Sequence, residues 1–379
     1  MRIRRIAAGV LAALAAAASS AAAQDGGSAA PATYWVYVAN ESSDIVSRVR
    51  FDGTEAVEEK TIDVGWHPLD LDGAHGLTVS PTGDHWYVSF AHGQPYGQIW
   101  KMETGTDSFV DSVHVGLFPA SMALTPDGAS LFVVNFNLHG DPVPSSVSAV
   151  FTPMMLEMQK IETCVMPHGG RISSDGQRHY SACMMSDQLV EVSTSGLAVA
   201  RRMSLQPGHE GPMEMAGGHA GHDMGGMGGM SMDDMCKPTW VALSPDDTRV
   251  YVPCNGRGQV LEVDAESLEV LRRFDTGRGP YNADVTPDGR TLVVTLKGNQ
   301  AVALIDLETG QERRVETTRG VTHGVALTPD GRYAFVSNEA VGATRGTVDV
   351  IDLAAGRVVA STEVQYQPGG IAFWKMEGR

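Results

Sequence analysis

Beyond residue 23, no stretch of this chain reaches 18 consecutive apolar residues, and none carries the 3.6-residue apolar period of a helix. The first absence excludes a later membrane-spanning helix, so the mature chain is expected to be soluble. The second leaves no helix to carry a Rossmann turn, a P-loop or an HExxH pair, and none of those motifs occurs. There is no GxSxG elbow for a serine nucleophile and no CxxCH for covalent haem. Basic residues are scarce: 28 Lys and Arg stand against 45 Asp and Glu, a net charge of −17. Such a surface repels nucleic acid and anionic membrane and favours cations. Cysteine is scarce too, with Cys164, Cys183, Cys236 and Cys254 the full set.

One pattern recurs. From Val325 to Asn338 it reads VALTPDGRYAFVSN, two alternating apolar runs around Thr328-Pro329-Asp330-Gly331. Pro presets φ for the first turn position, Asp bonds the backbone ahead of it, and Gly tolerates positive φ, so the stretch predicts a β-hairpin. Further copies begin at Leu77, Met122, Gly170, Val241 and Ala283. Their turn positions, 81, 126, 174, 245, 287 and 329, step by 45, 48, 71, 42 and 42 residues. A strand-built repeat of that length is a propeller-blade period, and the step of 71 holds an insertion.

A seventh copy is divided between the chain ends. Gly369 to Trp374 (GGIAFW) is a first strand with no turn after it, and Tyr34 to Asn40 (YWVYVAN) is a second strand with nothing before it. Joined, they close a ring and remove the open sheet edges. The expected fold is therefore all-β: one seven-bladed β-propeller of four-stranded blades over residues 34–379, with a Met/His-rich loop inserted at 206–236. The run GPYNADVTPDGRTLVVTLKGNQAVALIDLETGQ (Gly279 to Gln311) resembles the YVTN-type β-propeller repeat, as does the run from Val321. The resemblance implies seven blades and an extracytoplasmic location. Similar propellers include lactonases and the haem-binding propellers of nitrite reductases, so it speaks for fold far more than for chemistry.

Residues 1–23 read as a secretory signal: Arg2, Arg4 and Arg5, an apolar core, then Ala21-Ala22-Ala23 as the cleavage site. Residues 24–33 read as a flexible leader, and the mature chain is expected in the periplasm or otherwise secreted, as a monomer. Losing three Arg takes the net charge from −17 to −20.

Two features carry chemistry. The insertion, QPGHEGPMEMAGGHAGHDMGGMGGMSMDDMC, holds seven of the 18 Met: Met213, Met215, Met224, Met227, Met230, Met232 and Met235. It also holds His209, His219 and His222. It is Gly-rich and lacks branched aliphatics, so it cannot pack as core. Thioether sulfur is a soft ligand at any pH, and Met spaced by Gly among His selects copper over zinc. The second feature is a register. Two residues before the first apolar position of each first strand stand His75, Ala120, His168, Thr239, Tyr281, His323 and Gly369. Seven positions at 12 His in 379 residues would hold roughly 0.2 His by chance. First strands line the channel, so His75, His168 and His323 could converge on the axis as a copper or zinc site. Each is followed by Gly, which lets the backbone crowd the channel. His92 and Met185, just after second strands, are weaker candidate ligands.

Export favours disulfides, with Cys164–Cys183 and Cys236–Cys254 expected because each pair brackets one hairpin. The functional expectation is copper binding at the channel mouth, for handling or delivery, with no catalytic residues assigned. Two rivals remain: a metal-dependent oxidoreductase or lactonase-like hydrolase in the channel, and a metal-free scaffold for a periplasmic partner.

Overall fold

The computed structural model describes residues 32–67, 69–92, 96–214 and 235–378. The signal segment, Met215, Met224, Met227, Met230, Met232, His219 and His222 lie outside them. None of the described residues is helical, and they form seven antiparallel sheets. It is a seven-bladed β-propeller. Blades 1 to 6 run in chain order, each as inner strand, two middle strands and outer strand. The seventh joins the two ends: Pro368–Glu377 is its inner strand and pairs with Thr33–Asn40, followed by Ile45–Phe51 and Ala56–Asp63. Blade 3 differs from expectation by a fifth, two-residue strand, Gly211–Pro212, formed by the start of the insertion against Ala198–Ser204.

The hairpin turns work through a residue that the Pro-Asp-Gly reading overlooks. The Ser or Thr before each turn accepts a backbone N–H five residues on. The bonds run from His85 to Ser80, Ser130 to Thr125, Arg178 to Ser173, Arg249 to Ser244, Thr291 to Thr286 and Tyr333 to Thr328, all at 2.9–3.0 Å. The same hydroxyl donates to the turn Asp, as Thr328 does to Asp330 at 2.6 Å. That donation holds the Asp127, Asp175, Asp246 and Asp288 carboxyls below their usual range.

Seven apolar clusters fill the seven blade interfaces. Tyr180 and Leu189 of blade 3, for example, pack on Val250 and Leu261 of blade 4. The closing seam also has a polar bolt. Asp107, with no exposed side-chain surface, accepts from Tyr37 (2.8 Å), Trp86 (3.2 Å), Arg48 (3.0 Å) and Lys60 (2.7 Å). Both disulfides form as expected, Cys164–Cys183 and Cys236–Cys254. No free cysteine remains among the described residues, so thiolate ligation is not available there. No described helix is long and apolar enough to cross a membrane.

Candidate metal centre at the channel mouth

The inner strands of blades 1, 3, 5 and 6 all break register at the same place: Ala74/Leu77, Pro167/Gly170, Pro280/Ala283 and Thr322/Val325. His75, His168, Tyr281 and His323 stand inside those breaks, where a bulge re-aims a side chain off the sheet face. The glycine after each His is required by packing. A Cβ would meet the neighbouring blade's backbone: the Ala120 oxygen at 2.9 Å from position 76, the Thr239 oxygen at 2.6 Å from 169, and the Gly369 oxygen at 2.6 Å from 324. Buried hydroxyls then tie the breaks around the ring. Ser121 donates to the His168 carbonyl at 2.7 Å, Thr239 to Tyr281 at 2.7 Å, and Thr295 to His323 at 2.8 Å.

The three imidazoles do come together. The His75 ring lies 6.4 Å from that of His168 and 6.0 Å from that of His323, and all three residues are buried. They do not form the ready-made convergent site expected from register alone. Tyr281 stands between His168 and His323, with ring centroids at 5.3 and 4.6 Å. Its hydroxyl lies 2.9 Å from His168 Nε2. Among the described residues, no three His, Cys, Asp or Glu side chains are gathered to hold a metal.

Each ring turns one nitrogen toward an oxygen acceptor. His168 Nδ1 lies 3.0 Å from the Thr239 carbonyl, which can only accept, so Nδ1 carries the proton and Nε2 the lone pair. His75 Nδ1 lies 2.8 Å from Glu41 Oε2. Burial alone would raise the Glu41 carboxyl. The His75 and His92 rings outweigh burial and hold it well below the usual carboxylate range. Glu41 is therefore ionised and accepts from Nδ1. His323 Nε2 faces Glu339 Oε1 at 3.5 Å, while its Nδ1 is buried without a hydrogen-bond partner. Burial keeps His323 neutral and pushes His168 down to about 3, with His75 and Lys297 adding to both.

Further residues gather at the mouth. His92 donates to Glu41 Oε1 at 2.9 Å, which raises its pKa. His139, exposed, lies 6.1 Å from His92. Lys297 donates to Glu339 at 3.3 Å and sits 4.5 Å over the Tyr281 ring. Met166 and Met184 pack on Phe118 and Phe136, which touch His75 and His168. Met184, Thr239, Tyr281 and Lys297 line an 810 Å³ pocket there; Met185 is half-buried nearby. The register just after each second strand would have found most of these: Glu41, Ala91, Phe136, Met184, Asn255, Lys297 and Glu339. His92 lies one position further on.

The insertion returns to this rim. Asp187 accepts from the backbone of Cys236 at 3.0 Å and Lys237 at 2.8 Å, and Cys254 precedes Asn255 and Gly256 of the mouth pocket. Of its described ligand candidates, Met213 and His209 are exposed and Met235 is buried beside Cys236.

No family model matches the chain, and no curated protein does. The likeness to the YVTN repeat therefore stands on the repeats themselves. Solved structures match widely. Periplasmic gluconolactonase PpgL of Pseudomonas aeruginosa aligns at 19% identity over 90% of this chain and 99% of its own, TM-score 0.65. A functionally unknown protein from Desulfotomaculum acetoxidans aligns at 15%, over 90% and 98%, TM-score 0.66. The dihydro-haem d1 dehydrogenase NirN aligns at 17%, over 89% and 74%, TM-score 0.57. At these identities the likeness establishes the propeller fold and nothing about chemistry.

Proposed function

We propose that this protein is an exported propeller that binds copper at its channel mouth, for handling or delivery without turnover. The observation that carries the reading is the orientation of three buried imidazoles. His75, His168 and His323 each face an oxygen acceptor with one ring nitrogen, and the His75 ring lies 6.4 and 6.0 Å from the other two. An acceptor behind a neutral imidazole is how metal-ligating histidines are oriented, and Glu41, the Thr239 carbonyl and Glu339 fill that role. Binding then requires the rings to turn inward and the Tyr281 hydroxyl to leave His168. Thioethers favour copper over zinc: Met166 and Met184 at the mouth, and seven in the insertion. Two disulfides and the signal-like start support export. Likeness to a gluconolactonase and to NirN adds nothing to a catalytic reading beyond the shared scaffold.

The test is metal content by mass spectrometry on protein exported to the periplasm. Wild type is compared with a His75/His168/His323→Ala variant and a deletion of 207–235. Stoichiometric copper lost in the triple variant supports the mouth site. Copper lost only with the loop assigns capture to the insertion on an inert scaffold. No copper in any sample after loading overturns the reading and favours a metal-free interaction platform.

A further inference from the structure

Below the imidazoles the channel holds a cavity of about 350 Å³, at the small end of the range for ligand sites, ~300–1,000 Å³. It runs along the inner strands from His75 to the turn residue Pro81. Its origin is visible in the register three residues after the His positions. Five of those seven residues are small: Thr78, Ala123, Ala242, Ala326 and Ala372. The other two are Arg171 on blade 3 and Asp284 on blade 5, which carry opposite charges and flank Ala242 of blade 4.

These charges are not paired with each other. Among the described residues Arg171 has no carboxylate within ion-pair distance. It lies 5.3 Å over the Trp240 ring and donates only to the Gly170 carbonyl, at 3.3 Å. Asp284 accepts only from the Val285 backbone, at 3.0 Å. Three buried atoms of residues around the cavity lack partners among the described residues of the protein: Trp240 Nε1, a donor; Asn282 Oδ1, an acceptor; and His323 Nδ1. The residues carrying them are 9%, 5% and 4% exposed. Native interiors seldom leave such atoms unsatisfied, and Arg171 and Asp284, both half-buried, are charges without an ion-pair partner. Leu77, Met122, Val325, Ile371 and Phe373 contribute apolar lining. Burial raises the Asp284 carboxyl and lowers the Arg171 guanidinium, each partly offset by the other.

We propose that this cavity binds a small amphipathic zwitterion of the α-amino-acid type. The carboxylate sits against Arg171, the ammonium against Asp284, and the apolar side chain against Leu77, Met122 and Ile371. Electroneutrality selects the class. The cavity holds one cation and one anion that form no ion pair with each other, and a zwitterion pairs both without adding net charge. A simple anion would leave Asp284 unpaired, and a simple cation would leave Arg171 so.

The test is calorimetric titration of the exported, chelator-stripped protein with L-leucine, L-leucinamide and 4-methylpentanoate. Saturable one-to-one binding of leucine is expected, with both single-charge analogues weaker by about tenfold or more. Arg171→Gln should erase the preference of leucine over leucinamide, and Asp284→Asn the preference over 4-methylpentanoate. The analogue series on wild type decides the matter even if a variant misfolds. No saturable heat from leucine or L-phenylalanine up to millimolar concentration, or analogues binding as well as leucine, overturns the proposal. Because the protein is metal-free throughout, neither result bears on the copper reading.

Discussion

Replacing Glu41 with Gln separates a metal-orienting carboxylate from a structural one. Glu41 accepts from His75 Nδ1 at 2.8 Å and His92 Nε2 at 2.9 Å, and Gln367 donates to the same oxygen as His75 at 3.2 Å. A carboxamide of equal shape offers one acceptor oxygen and one donor. Whichever way it turns, one imidazole meets the amide N–H instead of a carboxylate oxygen, and a hydrogen bond to a charged acceptor is lost. Hydrogen bonds to charged groups are worth roughly 1.5–3 kcal/mol net, so unfolding at neutral pH should become easier by about that much. The sign of the pH dependence follows from the depressed Glu41 pKa. Its contribution is fully present above the unfolded carboxylate value, ~4.3, and disappears as pH falls below it. The gap between wild type and variant in urea unfolding should therefore close in acid. If Glu41 orients His75 for a metal, copper affinity measured by chelator competition should drop roughly 10–100-fold. A variant that loses stability but keeps its copper affinity within about twofold would refute the reasoning, leaving Glu41 as a latch between blades 7 and 1.

Three further outcomes test the scaffold. Asp107→Ala leaves Arg48, Lys60, Tyr37 and Trp86 without their shared acceptor, and should cost roughly 3–5 kcal/mol in urea unfolding; a loss under about 1 kcal/mol would mean that the closing seam does not depend on it. Replacing Cys236 and Cys254 together by Ala opens a link spanning 18 residues and should cost about 3 kcal/mol, with the Cys164/Cys183 pair, spanning 19, costing the same. His179 is buried, stacked on Phe132, with both ring nitrogens unpartnered, and burial pushes it down to about 3. His179→Leu should stabilise by about 1–2 kcal/mol at neutral pH. Since the neutral ring is the folded form, the wild type should lose further ground between pH ~6.5 and about 3, and the variant should not.

Legibility in this chain follows the distance over which a signal acts. The blades could be read because each hairpin is announced within fourteen residues by its own turn, and the split seventh copy because its halves are recognisable apart. The three channel His could be read because register is counted from that same turn. Their chemistry could not, because the atoms that decide it come from other strands. Glu41 reaches His75 from the neighbouring blade, 34 residues away, and Tyr281 reaches His168 across 113. Counting from the turn in the other direction narrows this gap. The residues just past the second strands, Glu41, Met184, Lys297 and Glu339 among them, face the mouth for the same reason that the His do. In a propeller, one repeat position is one height on the axis, so two registers can be stacked before any coordinates exist. The same operation three residues below the His ring isolates Arg171 and Asp284 from five small neighbours. What stays illegible is whether such charges touch. That depends on blade tilt and on bulges set by Gly76, Gly169 and Gly324, whose missing side chains admit the next blade's backbone. An imidazole ring can thus be assigned to the axis from the repeat alone, while its free nitrogen is decided by a carbonyl or carboxylate that only the closed ring brings alongside.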